Sequence, residues 1–183
     1  QAKNRAYDLN ALLAGDQNSV MIFKDGSFAT LYLAPRDYHR VHMPVDGILL
    51  KMTYVPGRLF AVNTHTTRVV NKLFARNERV ISIFDTALGP MALILIGALN
   101  VGSMETVWAG EVTPARKREL STLDYSGSGR EIRLKRGHEM GRFNMGSTVI
   151  LLFGKDSIAW SPQVHPDRPV VMGELLALRY GKT

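Results

Sequence analysis

The sequence contains no cysteine, which removes a disulfide framework, thiolate metal sites and a cysteine nucleophile together. It has only 16 glycines and 8 prolines among 183 residues, and 45% of its residues are hydrophobic, so a disordered or fibrous chain is excluded. A chain of this length forms about one domain. We therefore expect one domain over residues 1–183, compatible with a reducing compartment, in which any nucleophile is oxygen or nitrogen.

Long uninterrupted hydrophobic runs are also lacking. Residues 86–104 carry no charge and are numerous enough to raise the question of a membrane span. However, Gly89-Pro90 interrupts the start of this stretch and Asn100 interrupts its end, which leaves 91–99 as the continuous apolar part. We predict two buried strands here, so that any membrane association is peripheral or depends on a segment preceding Gln1.

Several common motifs are missing as well, namely a Walker loop, a dinucleotide-binding glycine fingerprint, a Gly-x-Ser-x-Gly elbow and a zinc-protease helix. What the chain does have is an excess of positive charge, with 23 Lys and Arg against 16 Asp and Glu. A net charge of +7 favours an anionic partner such as phospholipid headgroups or nucleic acid. The charge alone does not choose between the two.

The pattern of apolar residues and turn residues predicts an all-β fold, a sandwich or barrel, with one short N-terminal helix. Asp8 can cap that helix, and Gly15 ends it. We expect Asp25-Gly26 to form a type I′ hairpin turn and Pro56-Gly57 a type II turn. The predicted strands are 20–23, 28–33, 47–54, 58–63, 79–85, 91–99, 101–108, 131–135, 147–153 and 174–180.

Two of the five histidines, His39 and His42, lie three residues apart in a segment bracketed by Pro35 and Pro44. On a helix this spacing would favour a metal site, but the prolines favour an extended or looping backbone in which the two rings point in different directions. Three interpretations stay open from the residues alone. The histidines are structural, they transfer protons or activate a nucleophile, or they bind a metal.

Gly146, Ser147 and Thr148 lead into an apolar run that we predict to be a buried strand. A glycine before a hydroxyl residue commonly serves only as a tight start to such a strand. A second interpretation is chemical. The Ser147 hydroxyl can attack the carbonyl of Gly146, because glycine has no Cβ to block the approach and tolerates strained dihedral angles, and the peptide bond then becomes an ester.

Four segments together resemble the signature segments of phosphatidylserine decarboxylases, and they occur in the same order. The similarity extends over most of residues 1 to about 155. Its most specific parts are the His39-Arg40-Val41-His42 motif and the Gly146-Ser147-Thr148 motif. The four segments are 33–44, 73–80, 101–110 and 140–150.

The resemblance implies that the chain is a proenzyme that cuts itself between Gly146 and Ser147, giving a β subunit, 1–146, and an α subunit, 147–183. Ser147 would become a covalent pyruvoyl group, which forms a Schiff base with phosphatidylserine and serves as the electron sink for its decarboxylation to phosphatidylethanolamine. By the same resemblance, His42 is the base that deprotonates Ser147. His39 is the candidate for proton transfer during decarboxylation, and no metal is expected.

The resemblance also implies a homodimer of cleaved protomers on an anionic membrane surface, without nucleic acid as a partner. The expected location is the cytoplasmic face of the bacterial inner membrane, or the mitochondrial inner membrane in a eukaryote. The family's triad aspartate and membrane-associating helices precede the stretch that Gln1 begins, and we interpret Gln1 as an interior start. The triad acid is therefore unassigned, since Asp46 follows His42 and does not match it.

Other functions remain open at this stage. The same cofactor chemistry serves a decarboxylase of another amino acid or serine lipid, because the cleavage motif does not choose the substrate. A non-catalytic module that binds anionic lipid or nucleic acid would also fit the charge. A zinc hydrolase that uses His39 and His42 is the most distant alternative.

Overall fold

The computed structural model of the chain describes residues 8–62, 66, 69–99, 103–127, 129, 131–144 and 147–181, the last range without the Ser147 side chain. Strands dominate this part of the chain, which confirms the predicted all-β class. The described helices are α1 (Leu9–Leu12), α2 (Gln17–Phe23) and α3 (Leu73–Arg76). The described strands are β1 (Ser27–Leu33), β2 (Arg40–His42), β3 (Gly47–Val55), β4 (Arg79–Thr86), β5 (Met91–Ile96), β6 (Met104–Thr106), β7 (Gly110–Thr113), β8 (Ser121–Asp124), β9 (Arg133–Leu134), β10 (Glu139–Phe143), β11 (Ser147–Phe153), β12 (Ile158–Trp160) and β13 (Ala177–Arg179).

These strands form three antiparallel sheets. The large sheet has the order β1-β11-β5-β4-β3-β8, with β9 also paired to β3. The small sheet has the order β2-β10-β6-β7, and β12 pairs with β13 alone. In the described residues the large sheet is open, with β1 and β8 at its ends, so the fold follows the sandwich expectation rather than the barrel.

The large sheet is buried on both faces, as β5 illustrates. Met91, Leu93 and Leu95 pack in one core cluster with residues of β2, β6 and β10, so the small sheet covers this face. The intervening residues of β5 pack in a second cluster with side chains of all three helices. Because successive strand residues point to opposite faces, the central strands of a sheet covered on both sides are apolar throughout. The uncharged stretch 86–104 is thus explained by the buried strand β5 and the start of β6, as predicted.

The N-terminal helix forms as predicted, with the Asp8 side chain accepting a hydrogen bond from the Ala11 amide. The expected strand 20–23 is wrong, since these residues lie in α2. Met21 is 76% exposed while Phe23 is 4% exposed, so the run of four apolar residues is not buried as a strand would require. Asp16 caps α2 by accepting a hydrogen bond from the Ser19 amide. An aspartate at this position favours the start of a helix, and the strand prediction did not take it into account.

Two predicted turns are also wrong, for one physical reason. Neither Gly26 nor Gly57 adopts a positive φ, so neither sits in the turn type that was expected. Both are instead positions of close backbone approach. A Cβ on Gly26 would lie 2.0 Å from the Phe153 carbonyl oxygen, and a Cβ on Gly57 would lie 2.4 Å from the Glu78 amide nitrogen. Gly26 therefore joins α2 to β1 rather than two strands of a hairpin, and the predicted strand 58–63 forms no strand over its described residues.

A buried arginine ties the helical layer to the large sheet. Arg79, only 2% exposed, donates hydrogen bonds to the carbonyl oxygens of Leu12, Ala75, Asn77 and Ala11 at 2.7 to 3.1 Å. These carbonyls belong to the ends of α1 and α3, where a cation is favoured because backbone acceptors are unsatisfied. Burial lowers the pKa of Arg79 to about 10, which leaves it charged at neutral pH.

Asn77, which is fully buried, adds a second tie beside Arg79. Its side chain accepts from the Phe60 amide and donates to the carbonyls of Phe60 and Gly97. Neighbouring Glu78 accepts a 2.6 Å hydrogen bond from the Tyr54 hydroxyl. Burial, followed by the contact with Glu78, raises the pKa of Tyr54 to about 12. Asn77, Glu78 and Arg79 of the signature segment 73–80 therefore hold parts of the fold together.

Replacing Arg79 by Met should lower the free energy of unfolding by about 3 kcal/mol, because several buried carbonyls lose a charged donor at once. Urea denaturation measures this loss. The matched control is Arg179→Met in the exposed strand β13, for which we expect a change within about 0.5 kcal/mol. Equal midpoints for the two variants would contradict the role given to Arg79.

Candidate active site

Two distant stretches of the chain, 27–42 and 139–153, run antiparallel across both sheets. In the large sheet β1 pairs with β11, and Leu33 is opposite Ser147. In the small sheet β2 pairs with β10, and the Phe143 amide donates to the His39 carbonyl at 3.0 Å. Each stretch thus passes from one sheet to the other at the same place. Residues 34–38 and Asn144 lie at this crossing, and both histidines and the backbone of Ser147 lie on the two stretches that flank it.

His39 stands at the edge of this crossing. Its Nε2 lies 3.1 Å from the Pro35 carbonyl oxygen, and because a carbonyl only accepts, Nε2 carries the proton in the neutral ring. Its Nδ1 is buried and has no hydrogen-bond partner among the described residues. A buried nitrogen with a free lone pair is costly unless something uses it, and such atoms are expected at reactive sites.

His42, the last residue of β2, has partners on both ring nitrogens. Nδ1 lies 2.7 Å from the Gly137 carbonyl oxygen, so in the neutral ring Nδ1 donates and Nε2 is the basic nitrogen. Nε2 in turn lies 2.9 Å from the Tyr38 hydroxyl, which donates to it. The Tyr38 ring also stacks on the imidazole, with centroids 5.6 Å apart. The structure therefore fixes the tautomer that general-base chemistry at Nε2 requires.

A short turn holds the Gly137 carbonyl in place. Gly137 has a φ of +82°, a left-handed conformation that favours glycine, and its amide donates to the Met43 carbonyl. Asp46 accepts from the Arg136 amide at 2.8 Å and from the Lys135 ammonium at 2.9 Å. These two contacts, the amide first, lower the pKa of Asp46. Among the described residues, Asp46 contacts the turn that carries Gly137 and not His42 itself, and the triad acid stays unassigned.

The residue two positions before Gly146 is anchored to β6. The Asn144 amide donates to the Ser103 carbonyl at 3.1 Å, and its side chain contacts the Ser103 hydroxyl and Glu105. Arg142 forms an ion pair with Glu105, and this contact, reinforced by Asn144, lowers the pKa of Glu105. The signature segment 101–110 therefore fixes the chain that leads into the predicted cleavage site.

Ser147 is the first residue of β11, and the structure describes only its backbone. Gly146 and the Ser147 side chain lie outside the described residues. Next to them, the Thr148 hydroxyl is fully buried and has no partner within the described part of the chain. Along the paired stretches His39 is opposite Phe143 and His42 is opposite Glu139, so His39 is nearer to Ser147 in register. The roles of His39, His42 and Ser147 stay predictions.

Sequence reasoning missed Tyr38, Gly137 and Ser103. Tyr38 precedes His42 by four residues, a spacing that indicates contact on a helix but carries no such meaning for a looping segment. Gly137 and His42 are 95 positions apart in the chain, so no local sequence pattern predicts their contact. The same holds for Ser103 and Asn144. Pairing between distant strands was the missing information.

The geometry around the two histidines bears on the metal interpretation. Within the ranges given above, no three His, Asp or Glu side chains converge as a metal site would require. The two histidine rings share no partner, since one contacts Pro35 and the other contacts Tyr38 and Gly137. A search for membrane-spanning helices in the described residues finds none of sufficient length and apolarity.

Comparison with known proteins identifies relatives over nearly the whole chain. The family model described as phosphatidylserine decarboxylase matches residues 1–178. The phosphatidylserine decarboxylase proenzyme of Stutzerimonas stutzeri is 56% identical over 177 residues, which cover 96% of this chain and 59% of that protein. The proenzyme of Methylococcus capsulatus is 57% identical over 173 residues, covering 94% and 59%. The Vibrio parahaemolyticus proenzyme is 56% identical over 180 residues, covering 98% and 63%.

The chain thus spans about three fifths of the length of these curated relatives. The four segments that carry the resemblance fall inside the matched region. Three of them, 33–44, 101–110 and 140–150, meet in the small sheet and at its crossing into the large one, while 73–80 ties the helices to the large sheet. With a matching family model over residues 1–178 and relatives more than half identical, the chain belongs to the phosphatidylserine decarboxylase family.

Proposed function

We propose that this chain is the processing and catalytic part of a proenzyme that cuts itself between Gly146 and Ser147 and decarboxylates phosphatidylserine to phosphatidylethanolamine. The relatives are named as proenzymes of this activity. The observation that supports the proposal is the pairing of 27–33 with 147–153 and of 40–42 with 139–142, since His39, His42 and the backbone of Ser147 lie on these two paired stretches or next to them. Buried polar atoms without partners in the same region, His39 Nδ1 and Thr148 Oγ1, fit a site whose chemistry uses them.

The proposed cleavage balances without an external reagent other than water. The Ser147 hydroxyl oxygen adds to the Gly146 carbonyl carbon, the peptide C–N bond breaks, and the proton moves from the hydroxyl to the released amine, which leaves an ester. Loss of the Cα proton of residue 147 and cleavage of its Cβ–Oγ bond release residue 146 as a carboxylate. The dehydroalanine that remains takes up water and loses ammonia to become a pyruvoyl group.

His42 is the proposed base for the first step. With Nδ1 donating to Gly137, the lone pair of Nε2 is the one that can accept the Ser147 proton. The Tyr38 hydroxyl occupies that lone pair in the structure. The Tyr38 hydroxyl must therefore move away from Nε2 before His42 can accept a proton. The strength of this hydrogen bond then affects the rate of self-cleavage.

His39 is the proposed proton-transfer residue of the decarboxylation. Its unpartnered Nδ1 can hold a proton, and its Nε2 keeps the ring in place through the Pro35 carbonyl. A pyruvoyl ketone at position 147 supplies the electron sink for the carbanion that remains when the substrate loses carbon dioxide. The proposed contribution of His39, which is paired with Phe143 four residues before Ser147, is to deliver a proton to the substrate's Cα.

The remaining expectations complete the proposal. The partners are phosphatidylserine on an anionic membrane surface and the complementary fragment of the same proenzyme, with cleaved protomers forming a homodimer. The protein is peripheral on the cytoplasmic face of the bacterial inner membrane, or on the mitochondrial inner membrane in a eukaryote. The net charge of +7 supports an anionic surface as the partner.

Mass spectrometry of the purified protein should find a cut between residues 146 and 147. The piece that begins at 147 should carry a pyruvoyl group instead of an amino-terminal serine. Ser147→Ala should remain uncut because it lacks the attacking oxygen, and His42→Ala should remain uncut because the oxygen lacks its base. His165→Ala, an exposed histidine whose ring contacts only the neighbouring Pro166 carbonyl in the described structure, should be cut like the parent.

Cutting of His42→Ala at the parent's rate would remove His42 from this role. If His39→Ala were uncut in the same experiment, the base would be His39, which the register places nearer to Ser147. An intact protein that still decarboxylates phosphatidylserine would contradict the cofactor assignment altogether.

Tyr38→Phe should cut itself faster than the parent, by about fivefold, because the phenyl ring retains the stacking on His42 while the competing hydrogen bond, worth about 1 kcal/mol, is lost. Tyr38→Ala should be slower than Tyr38→Phe, since the imidazole then loses its stacking partner as well. The cleavage rate is followed by gel electrophoresis after synthesis. A slower Tyr38→Phe would mean that the hydroxyl assists the base rather than occupying it.

His39→Ala should complete its cleavage and then decarboxylate phosphatidylserine more slowly, by about 100-fold or more, because general acid–base catalysis contributes on this scale. Carbon dioxide release from the cleaved variant measures the loss. The same assay with free serine tests the substrate class, and equal rates on serine and on the lipid would favour a decarboxylase of another amino acid. Unchanged release from the lipid would remove His39 from the reaction.

A further inference from the structure

Three arginines line one cavity at an edge of the large sheet. The cavity has a volume of about 460 Å³ and is lined by Pro56, Gly57, Arg58, Arg76 and Arg118, which we call the arginine cleft. All three arginines are exposed. None of them forms an ion pair with a carboxylate in the part of the chain that the structure describes. The cleft therefore brings three positive charges together without a direct carboxylate partner among the described residues.

The backbone and neighbouring side chains hold these arginines in place. The Arg58 amide donates to the Arg76 carbonyl at 2.9 Å, which fixes the two residues side by side. The Arg76 guanidinium lies 4.8 Å from the centre of the Phe60 ring, and Arg118 donates to the Gly57 carbonyl at 2.8 Å. Of the three guanidinium groups, those of Arg76 and Arg118 are held by these contacts, whereas Arg58 is held through its backbone. Guanidinium groups that retain free N–H donors suit phosphate, because its oxygens accept paired hydrogen bonds from the planar fork.

The cleft opens at the same end of the large sheet as Ser147. Ser147 begins β11, and its neighbour Thr148 is paired with Ile96 at the end of β5. Ile96 is paired with Arg79 at the start of β4, and Arg79 with Val55 at the end of β3. Pro56 and Gly57 follow directly. Three strand spacings separate β11 from β3, which is a distance of about 14 Å along the sheet edge.

Exposed leucines accompany the arginines. Leu59, 39% exposed, follows Arg58, and Leu120, 55% exposed, lies two residues after Arg118. Leu99, 59% exposed, lies two residues after Gly97, where an added Cβ would be 3.2 Å from the Leu59 side chain. Cationic groups beside exposed apolar groups are typical of surfaces that lie in the headgroup region of a bilayer. A soluble phosphate ester would gain nothing from the leucines.

We propose that the arginine cleft binds the phosphate of an anionic phospholipid and seats the Ser147 end of the large sheet on the bilayer surface. The cleft can bind lipid whether or not the protein is a decarboxylase. That this binding presents a lipid headgroup to residue 147 rests on the proposed function. The cleft is separate from the His39 and His42 region, since it lies on the β3 side of the sheet.

Sedimentation with vesicles tests the proposal. The whole protein is mixed with phosphatidylcholine vesicles that either contain or lack phosphatidylglycerol, and the bound fraction is measured. Replacing Arg58, Arg76 and Arg118 by Gln together should reduce partitioning onto the anionic vesicles on the order of 100-fold. Arg58→Gln alone should reduce it about fivefold, and because the Arg58 side chain has no hydrogen-bond or ion-pair partner in the described structure, this variant retains the folded contacts.

The matched control removes the same charge from the other end of the sheet. Lys24, Lys155 and Arg179 are exposed and lie near the start of β1, after the end of β11 and in β13. Their triple replacement by Gln should leave vesicle binding within about threefold of the parent. Equal losses in the two triple variants would mean that only net charge matters and would overturn the assignment of the cleft. Unchanged binding of the cleft variant would do the same.

Glycerol 3-phosphate distinguishes a lipid from a soluble ester. Titration calorimetry of the parent without lipid should show weak binding that the cleft variant loses, together with the loss of vesicle binding. If the cleft variant lost only the soluble ester and bound vesicles normally, the lipid assignment would be wrong. Self-cleavage of the cleft variant should match the parent. A protein that binds anionic vesicles through the cleft but never cuts itself would refute the proposed function and keep this inference.

Discussion

The site depends on one constraint, the antiparallel pairing of residues 27–42 with 139–153 through both sheets. The register is fixed by Leu33 opposite Ser147 in the large sheet and by the bond from the Phe143 amide to the His39 carbonyl in the small one. A one-residue slip would exchange the side chains that β11 packs into the two core clusters, so close packing on both faces protects the register. Ordinary strand pairing thus puts both histidines and the backbone of Ser147 on the same two stretches of chain.

Buried polar residues fix the positions of the helices and of the 58–62 segment on the large sheet. Arg79 and Asn77 attach the helices and the 58–62 segment to the start of β4. That end of β4 lies between the strand that Ser147 begins and the strand that leads into the arginine cleft. One end of the large sheet therefore carries the proposed cofactor precursor, the proposed lipid-binding cleft and the contacts that hold both in place. Under the lipid binding proposed for the cleft, this is the end that lies on the bilayer.

The sequence allowed the strong elements to be predicted. β4, β5 and β11 were recognisable because strands covered on both faces are apolar throughout, and the first helix because Asp8 caps it. The failures have identifiable causes. Gly26 and Gly57 are required by the close approach of another backbone segment and not by the dihedral angles of a turn. Helix α2 was mistaken for a strand because it contains four consecutive apolar residues, although two of them, Met21 and Ile22, are exposed.

The candidate site was predictable only in part. The motifs identified His39, His42 and Ser147, but the partners that set the chemistry of the histidines come from elsewhere. The tautomer of His42 is set by Gly137, and the free nitrogen of His39 results from burial in the assembled crossing. Local sequence carries no information on contacts of this range. The resemblance supplied the roles, and the structure supplied the hydrogen-bond partners of the two histidine rings.

The most direct test of the account is the chemical identity of residue 147 in the mature protein. Treatment of the purified protein with phenylhydrazine, followed by mass spectrometry of the C-terminal piece, reports a ketone at its first residue. The account predicts a piece that begins at position 147, carries no amino-terminal amine and takes up one equivalent of the reagent. A piece that begins with an ordinary serine, or a chain that remains continuous through position 147 while the protein is active, would contradict it.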